Sequence, residues 1–237
     1  MPPEYLLFLD TETTGLPGRW DLPYEAPKAA WPYVAQVAWQ VYTSGGQLVK
    51  EASHYLRIPA GSMQASALAV HGLSEAFLQE HGHESAQVLQ LLLSDLQRFR
   101  PRVVGYFLQL DFHVLGAGLH RAGLPNPLPE LPQFCLMRAA PRPDDGTHRR
   151  YQRLAELHET LFREPMPVLH DARQDAVATA RCFFELRRRG HIPPETLTGQ
   201  LPLQKPVGRP HGAGGRWLLA VVAGALLLLL LGWLFYG

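Results

Sequence analysis

The run Tyr5-Leu6-Leu7-Phe8-Leu9 constrains the fold more than any other stretch, because it is apolar throughout and then meets two carboxylates in Asp10-Thr11-Glu12-Thr13-Thr14-Gly15. A strand-length run without polar alternation reads as a central strand covered on both faces. Asp10 then falls at the C-terminal end of that strand. Side chains two apart on a strand point the same way, so Asp10 and Glu12 present two carboxylates to one spot. A DxE pair occurs in many surface turns, and its weight here comes from what accompanies it further along the chain.

Val34 to Tyr42 and Leu48 to Ile58 flank Ser44-Gly45-Gly46-Gln47 and read as an antiparallel hairpin. Between the first strand and the hairpin, Pro17, Pro23, Pro27 and Pro32 favour an extended loop. Its Trp20, Tyr24 and Trp31 either stack on bases or pack the loop onto the domain. Helices are expected from Ala65 to the turn at His71-Gly72, near Ser74 to Gln79 and over Ser85 to Arg98, with a short fourth strand at Val103 to Phe107. Past it, Asp111, Val114, Leu115, Gly118, Leu119 and Ala122 recur at helical spacing, so Asp111 shares the buried stripe of that helix. An ionised carboxylate on a buried stripe is costly unless a cation or metal accompanies it. Tyr151 to Phe162 and Asp175 to Arg189 complete the helices, and 141–150 read as a polar loop.

At 237 residues and a formal net charge of +1, the chain has room for one domain of about 180 to 190 residues and does not coat nucleic acid by bulk electrostatics. Cys135 and Cys182 have no CxxC spacing, which suggests neither a zinc site nor a disulfide framework. The N-terminus lacks the pattern of a cleaved signal peptide.

Asp10, Glu12, Asp111 and Asp175, with His170 five residues before the last, form a set suited to two-metal phosphodiester hydrolysis. Carboxylates hold hard divalent cations, so Mg²⁺ or Mn²⁺ is expected. On the last helix Asp175 shares a face with Ala178, Thr179 and Cys182, small residues that let the backbone approach the sheet. His170 precedes that helix on a loop after Pro165 and Pro167; its ordinary pKa of about 6.5 suits a general base, and a bland surface histidine is the alternative.

Asp10 to Gly15, Val70-His71-Gly72-Leu73, Val103 to Leu115 and His170 to Ala180, in this order and spacing, resemble the DEDDh (DnaQ-like) exonucleases over roughly residues 4 to 189. The resemblance implies a ribonuclease H-like α/β fold, a mixed central sheet flanked by helices, and removal of 3′ terminal nucleotides as 5′ mononucleotides. It implies that Asp10, Glu12, Asp111 and Asp175 hold two metal ions and that His170 is the general base. Thr13 and Thr14 match positions that meet the terminal nucleotide, Leu16 a wedge against its base, and His71 a substrate-side histidine, with a packed turn histidine as its alternative. Tyr106 and Phe107 replace a His-Asn pair common in the family; Phe107 then either stacks on the penultimate base or fills the core. The basic stretch Arg138, Arg142, His148, Arg149, Arg150 and Arg153 is either a backbone contact or a solvated face.

Trp217 to Tyr236 has no charged residue and reaches the roughly 20 residues of a membrane-crossing helix, with a buried core helix as the alternative. The expectation is an exonuclease domain at 1–189, a Pro/Gly-rich linker at 190–216 and a transmembrane helix at 217–236 that makes the lipid bilayer a partner. Cationic residues before the span place the enzyme on the cytoplasmic side as a single-pass tail anchor, a layout that resembles the three-prime repair exonucleases. Expected partners at the site are DNA 3′ ends; an RNA 3′ exonuclease and a catalytically silent membrane adaptor are the alternatives.

Overall fold

The computed structural model describes residues 5–141, 150–166 and 170–204, all within one unit spanning residues 1–206. The apolar run is the middle strand, β1 (Tyr5–Thr13), of a five-stranded sheet ordered β3-β2-β1-β4-β5. β2 (Val34–Thr43) and β3 (Leu48–Tyr55) form the hairpin and lie antiparallel on one side. β4 (Arg102–Gly105) and β5 (Gln133–Cys135) add in parallel on the other. β1 continues through both carboxylates because β2 keeps pairing with it as far as Thr13, so Asp10 and Glu12 lie within the strand and not after it.

Strand alternation divides β1 between two cores. Leu7 and Leu9 face α3 (Ser85–Phe99) and α4 (Leu108–Arg121), among Leu89, Leu92, Phe112 and Leu115. Leu6 and Phe8 face α6 (Leu154–Phe162) and α7 (Ala172–Arg188), where the Phe8 ring meets Phe183 edge-on at 5.3 Å. α1 (Ala65–His71) stops at Gly72, whose φ of 73° is the left-handed conformation that glycine adopts freely, and Ser74 caps α2 (Glu75–His81) by accepting from Phe77 N–H.

Several boundaries differ from expectation. β4 ends at Gly105, and Phe107 instead precedes α4 with φ at 129°. α7 begins at Ala172 because Asp171 caps it, accepting from Gln174 N–H at 3.0 Å. β5 and the short α5 (Leu136–Ala139) had no periodic signal, a three-residue strand being too brief for one. The linker expected from residue 190 is partly structured: α8 (Pro194–Thr198) follows, Gln200 exchanges two hydrogen bonds with the Cys135 backbone, and Leu203 N–H donates to Gln133. The loop 16–33 packs onto α4, with Trp31 4% exposed and Tyr24 over Gly116, where a Cβ would stand 2.5 Å from the tyrosine hydroxyl.

The membrane-spanning helix is a correction. Among the described residues no helix is long and apolar enough to cross a membrane. The longest, α3 and α7, carry charges such as Asp95 and Arg98, or Arg173, Arg181 and Glu185, on faces that a bilayer would have to desolvate. Residues 217–236, on which the expectation rested, lie outside the described residues, as do Arg142, His148 and Arg149. The tail anchor, the bilayer partner, the cytoplasmic placement and the layout like the three-prime repair exonucleases are withdrawn.

Candidate metal centre

Three elements bring the carboxylates together, and the topology dictates which can do so. Asp10 and Glu12 project from β1 toward α7, the face of Leu6 and Phe8. Asp175 lies in the first turn of α7, and His170 just before it takes a left-handed backbone, φ 58°. Asp111, in the first turn of α4, belongs to the opposite layer. Thr11, between the two β1 carboxylates and pointing to the α4 side, donates its hydroxyl to Asp111 Oδ1 at 2.7 Å. Both helices aim their positive N-terminal ends at the cluster, which partly offsets its charge.

That offset is small beside the burial. Glu12 is 8% exposed and Asp111 4%. Burial, then repulsion from Asp175 and Asp111, pushes Glu12 up to about 8. Burial likewise raises Asp111 to about 7, with Thr11 pulling the other way, and raises Asp175 to about 7, reinforced by Asp171. Asp10, which burial and then Asp111, Asp175, Glu12 and Asp171 all disfavour as an anion, is held well above the carboxylate range. Among the described residues that line the cleft, Arg153 is the one arginine or lysine set against these four acids.

A metal ion would supply the missing charge, and two observations show that the residues fit one. Ligand atoms of Glu12, His170 and Asp175 all lie within 4.8 Å of one another. Asp175 Oδ1 is buried without a hydrogen-bond partner among the described residues, a position that a polar atom keeps only at a cost. The cluster can therefore coordinate a metal ion through oxygen and imidazole donors.

The acids form the floor of a cleft of about 550 Å³. Its walls include Thr13, Leu16, His71 and Phe107, so each residue expected to hold metal, move the proton or meet the terminal nucleotide lines it except Thr14, while Trp20, Tyr24, Trp31, Arg138 and Arg150 do not. Thr14 is 2% exposed and accepts from Tyr33 N–H at 3.0 Å, which turns its hydroxyl away. Thr13 donates to the Gly15 carbonyl at 2.7 Å. His71 is both a cleft residue and a packed turn residue: Nδ1 accepts from Leu73 N–H at 3.0 Å, so Nε2 carries the proton and donates to the Thr13 carbonyl at 3.1 Å. Burial holds its pKa below the usual histidine value.

Leu16, Val70 and Phe107 are 61%, 52% and 39% exposed, and all three stand on this one cleft. Exposed apolar side chains converging above buried acids form a lip suited to a flat, partly apolar group whose charged part reaches the floor. Phe107 is backed by Trp20, ring centres 6.2 Å apart, which gives that loop aromatic a supporting role. Tyr106 lies behind it, 8% exposed, and donates to the Gln152 carbonyl at 3.0 Å. Sequence reasoning gave no part to Thr11, Val70, Gln36 or Asp171; Thr11 and Gln36 act on partners 100 and 135 residues away, which leave no periodicity to betray them.

No family model and no curated protein matches the chain. Solved structures do. Exonuclease I of E. coli in complex with a dA16 oligonucleotide superposes with a TM-score of 0.62 at 19% identity, over 78% of this chain and 41% of that one. A product-bound exonuclease I gives 0.64 at 19% identity over 82% and 45%. The zinc-bound form of the E. coli exonuclease I complex with single-stranded DNA gives 0.63 at 19% identity over 79% and 41%. These likenesses show the shared fold, with this chain spanning less than half the length of those proteins.

Proposed function

We propose that this chain is a metal-dependent nuclease that shortens single-stranded DNA from its 3′ end. One observation carries the reading: buried and half-buried acids, one with a buried, unpaired oxygen, floor a cleft whose lip is the exposed apolar trio Leu16, Val70 and Phe107. A nucleotide has that division, with a base for the lip and a phosphate for the cations above the floor. The oligonucleotide complexes of the similarly folded exonuclease I support DNA as the substrate class.

Asp10, Glu12 and Asp175 would hold one Mg²⁺ or Mn²⁺, and Asp10 with Asp111 a second. Such ions would supply Lewis-acid polarisation of a phosphodiester and charge neutralisation at the cleft floor. The chain's own part is to position and to move a proton. His170, exposed at the edge of the acids, takes the proton from the attacking water. Thr11 fixes the Asp111 carboxylate, and the Nε2–H tautomer of His71 fixes the Thr13 carbonyl beside the terminal sugar. Leu16 and Phe107 hold the last bases, Phe107 by stacking.

The test is the full chain with Mg²⁺ or Mn²⁺ on matched 5′-labelled DNA and RNA oligonucleotides. A ladder of DNA products shortened from the 3′ end, abolished by chelation, is the expected result. Internal cleavage, or no cleavage of either polymer by folded protein, overturns the reading, and a ladder on RNA alone reassigns the substrate class. Phe107→Ala is expected to lower kcat/KM on DNA by roughly 5- to 150-fold, the equivalent of a base–aromatic stack of about 1–3 kcal/mol. Unchanged kcat/KM would assign that ring to the wall and not to the substrate.

A further inference from the structure

Gln36 is buried, 2% exposed, near the start of β2, and such an amide must have its hydrogen bonds met inside the protein. Its partners are those of a clamp. β2 pairs it directly opposite Glu12, so the two side chains emerge on the same face of the sheet. From there Oε1 accepts from Ala172 N–H at 3.1 Å, while Nε2 donates to Asp171 Oδ2 at 3.1 Å and to Ser53 Oγ at 3.4 Å. Asp171 uses its other oxygen to cap α7 through Gln174 N–H, and its carbonyl accepts from Asp175 N–H at 2.9 Å.

We propose that Gln36 is a positioning residue: by gripping Asp171 and Ala172 from the strand beside Glu12, it sets Asp175 at metal-binding distance from the β1 carboxylates and His170 beside them. The proposal rests on the nuclease reading for its catalytic consequence, though not for its effect on metal binding. His170 immediately precedes the gripped pair and Asp175 is one helical turn beyond it, so the clamp bridges both. A neutral amide suits the position because it both donates and accepts. Glutamate in its place would still accept from Ala172 but would set a second carboxylate against Asp171; an apolar side chain would leave Asp171 Oδ2 and Ala172 N–H without their partner.

This complementarity can be reversed. In Gln36→Glu the donor to Asp171 is lost; adding Asp171→Asn restores it from the other side, conserves net charge, and retains a good helix-capping residue. The experiment measures Mn²⁺ affinity of the full chain by electron paramagnetic resonance, with kcat and KM on a DNA oligonucleotide beside it. Gln36→Glu is expected to weaken Mn²⁺ binding and lower kcat by about 10- to 100-fold, the range seen when the partner that orients a metal ligand is lost. The double variant should return within about threefold of the parent, with KM little altered throughout. If Gln36→Glu does not fold, Gln36→Met, which removes the donor without adding charge, is expected to show the same Mn²⁺ loss. Parental Mn²⁺ affinity in a folded single variant, or a double variant that regains its thermal midpoint but not Mn²⁺ binding, overturns the clamp. Mn²⁺ binding that is lost and rescued in a protein that cleaves no DNA sustains the clamp and overturns the nuclease reading.

Discussion

Asp10→Asn is expected to reduce metal-dependent hydrolysis by on the order of 10³-fold, the cost of removing a preorganised electrostatic group from an active site, while making the metal-free protein more stable. Both effects have one cause. Asp10 is disfavoured as an anion by burial and by every other acid of the cluster, so a neutral isostere removes the cost of taking up a proton, or of keeping a desolvated charge, that the native carboxyl bears without metal. The gain should be about 1–2 kcal/mol, as when a destabilised functional residue is replaced. Thermal unfolding in chelator and single-turnover cleavage in Mn²⁺, run on the same preparations, read the two effects together. A variant that loses activity and stability alike would place Asp10 in a structural role; one that keeps activity within tenfold would remove it from the mechanism.

Without metal, the protein is expected to lose stability as pH rises from about 6.5 to about 8.5, and added Mg²⁺ is expected to flatten that decline. Glu12 at about 8, and Asp111 and Asp175 at about 7, bind protons in the fold that the unfolded chain has already released near pH 4. Their contribution is fully present below that unfolded value and is lost as pH climbs through the folded ones. His113 works in the opposite direction: buried against Tyr24 and lowered to about 4, it gains the fold stability only between pH 4 and its ordinary value of 6.5. Glu185, held down to about 2 by Arg188 and Arg189, is already ionised throughout. Above pH 6.5 the acid cluster therefore dominates, and with each pKa unit worth about 1.4 kcal/mol the loss should be roughly 2–4 kcal/mol. Denaturant midpoints at pH 6.5, 7.5 and 8.5, in chelator and in Mg²⁺, test it. A flat or rising profile in chelator would mean that the acids do not share one buried site.

Much of the site was legible in the chain because its parts lie at the ends of strongly patterned segments. The apolar run 5–9 announced a central strand, and period two placed Asp10 and Glu12 on one face of it. The helical stripe beginning at Asp111 identified α4, and the small residues Ala178, Thr179 and Cys182 marked the face on which α7 meets the sheet, all three being buried. These are local signals, set by backbone geometry within a few turns.

What the chain did not display are relations between segments. Thr11 reaches Asp111 across 100 residues, and Gln36 reaches Asp171 across 135; neither pairing leaves a period to count. Thr14 looks like its neighbour Thr13 until pairing with Tyr33 turns its hydroxyl from the cleft. Phe107 reads as the end of a strand, yet it stands at the N-cap of α4 with a positive φ and its side chain on the cleft. The apolar stretch 217–236 met the length criterion for a membrane span, and hydropathy by itself carried that expectation further than any described helix supports. Sequence determined the elements and the acids they carry, because propensity and periodicity act over neighbouring residues. Only the tertiary structure decided which hydroxyls and amides hold those acids and what their burial does to their charge, because hydrogen bonding and desolvation depend on whatever the fold brings within a few ångströms.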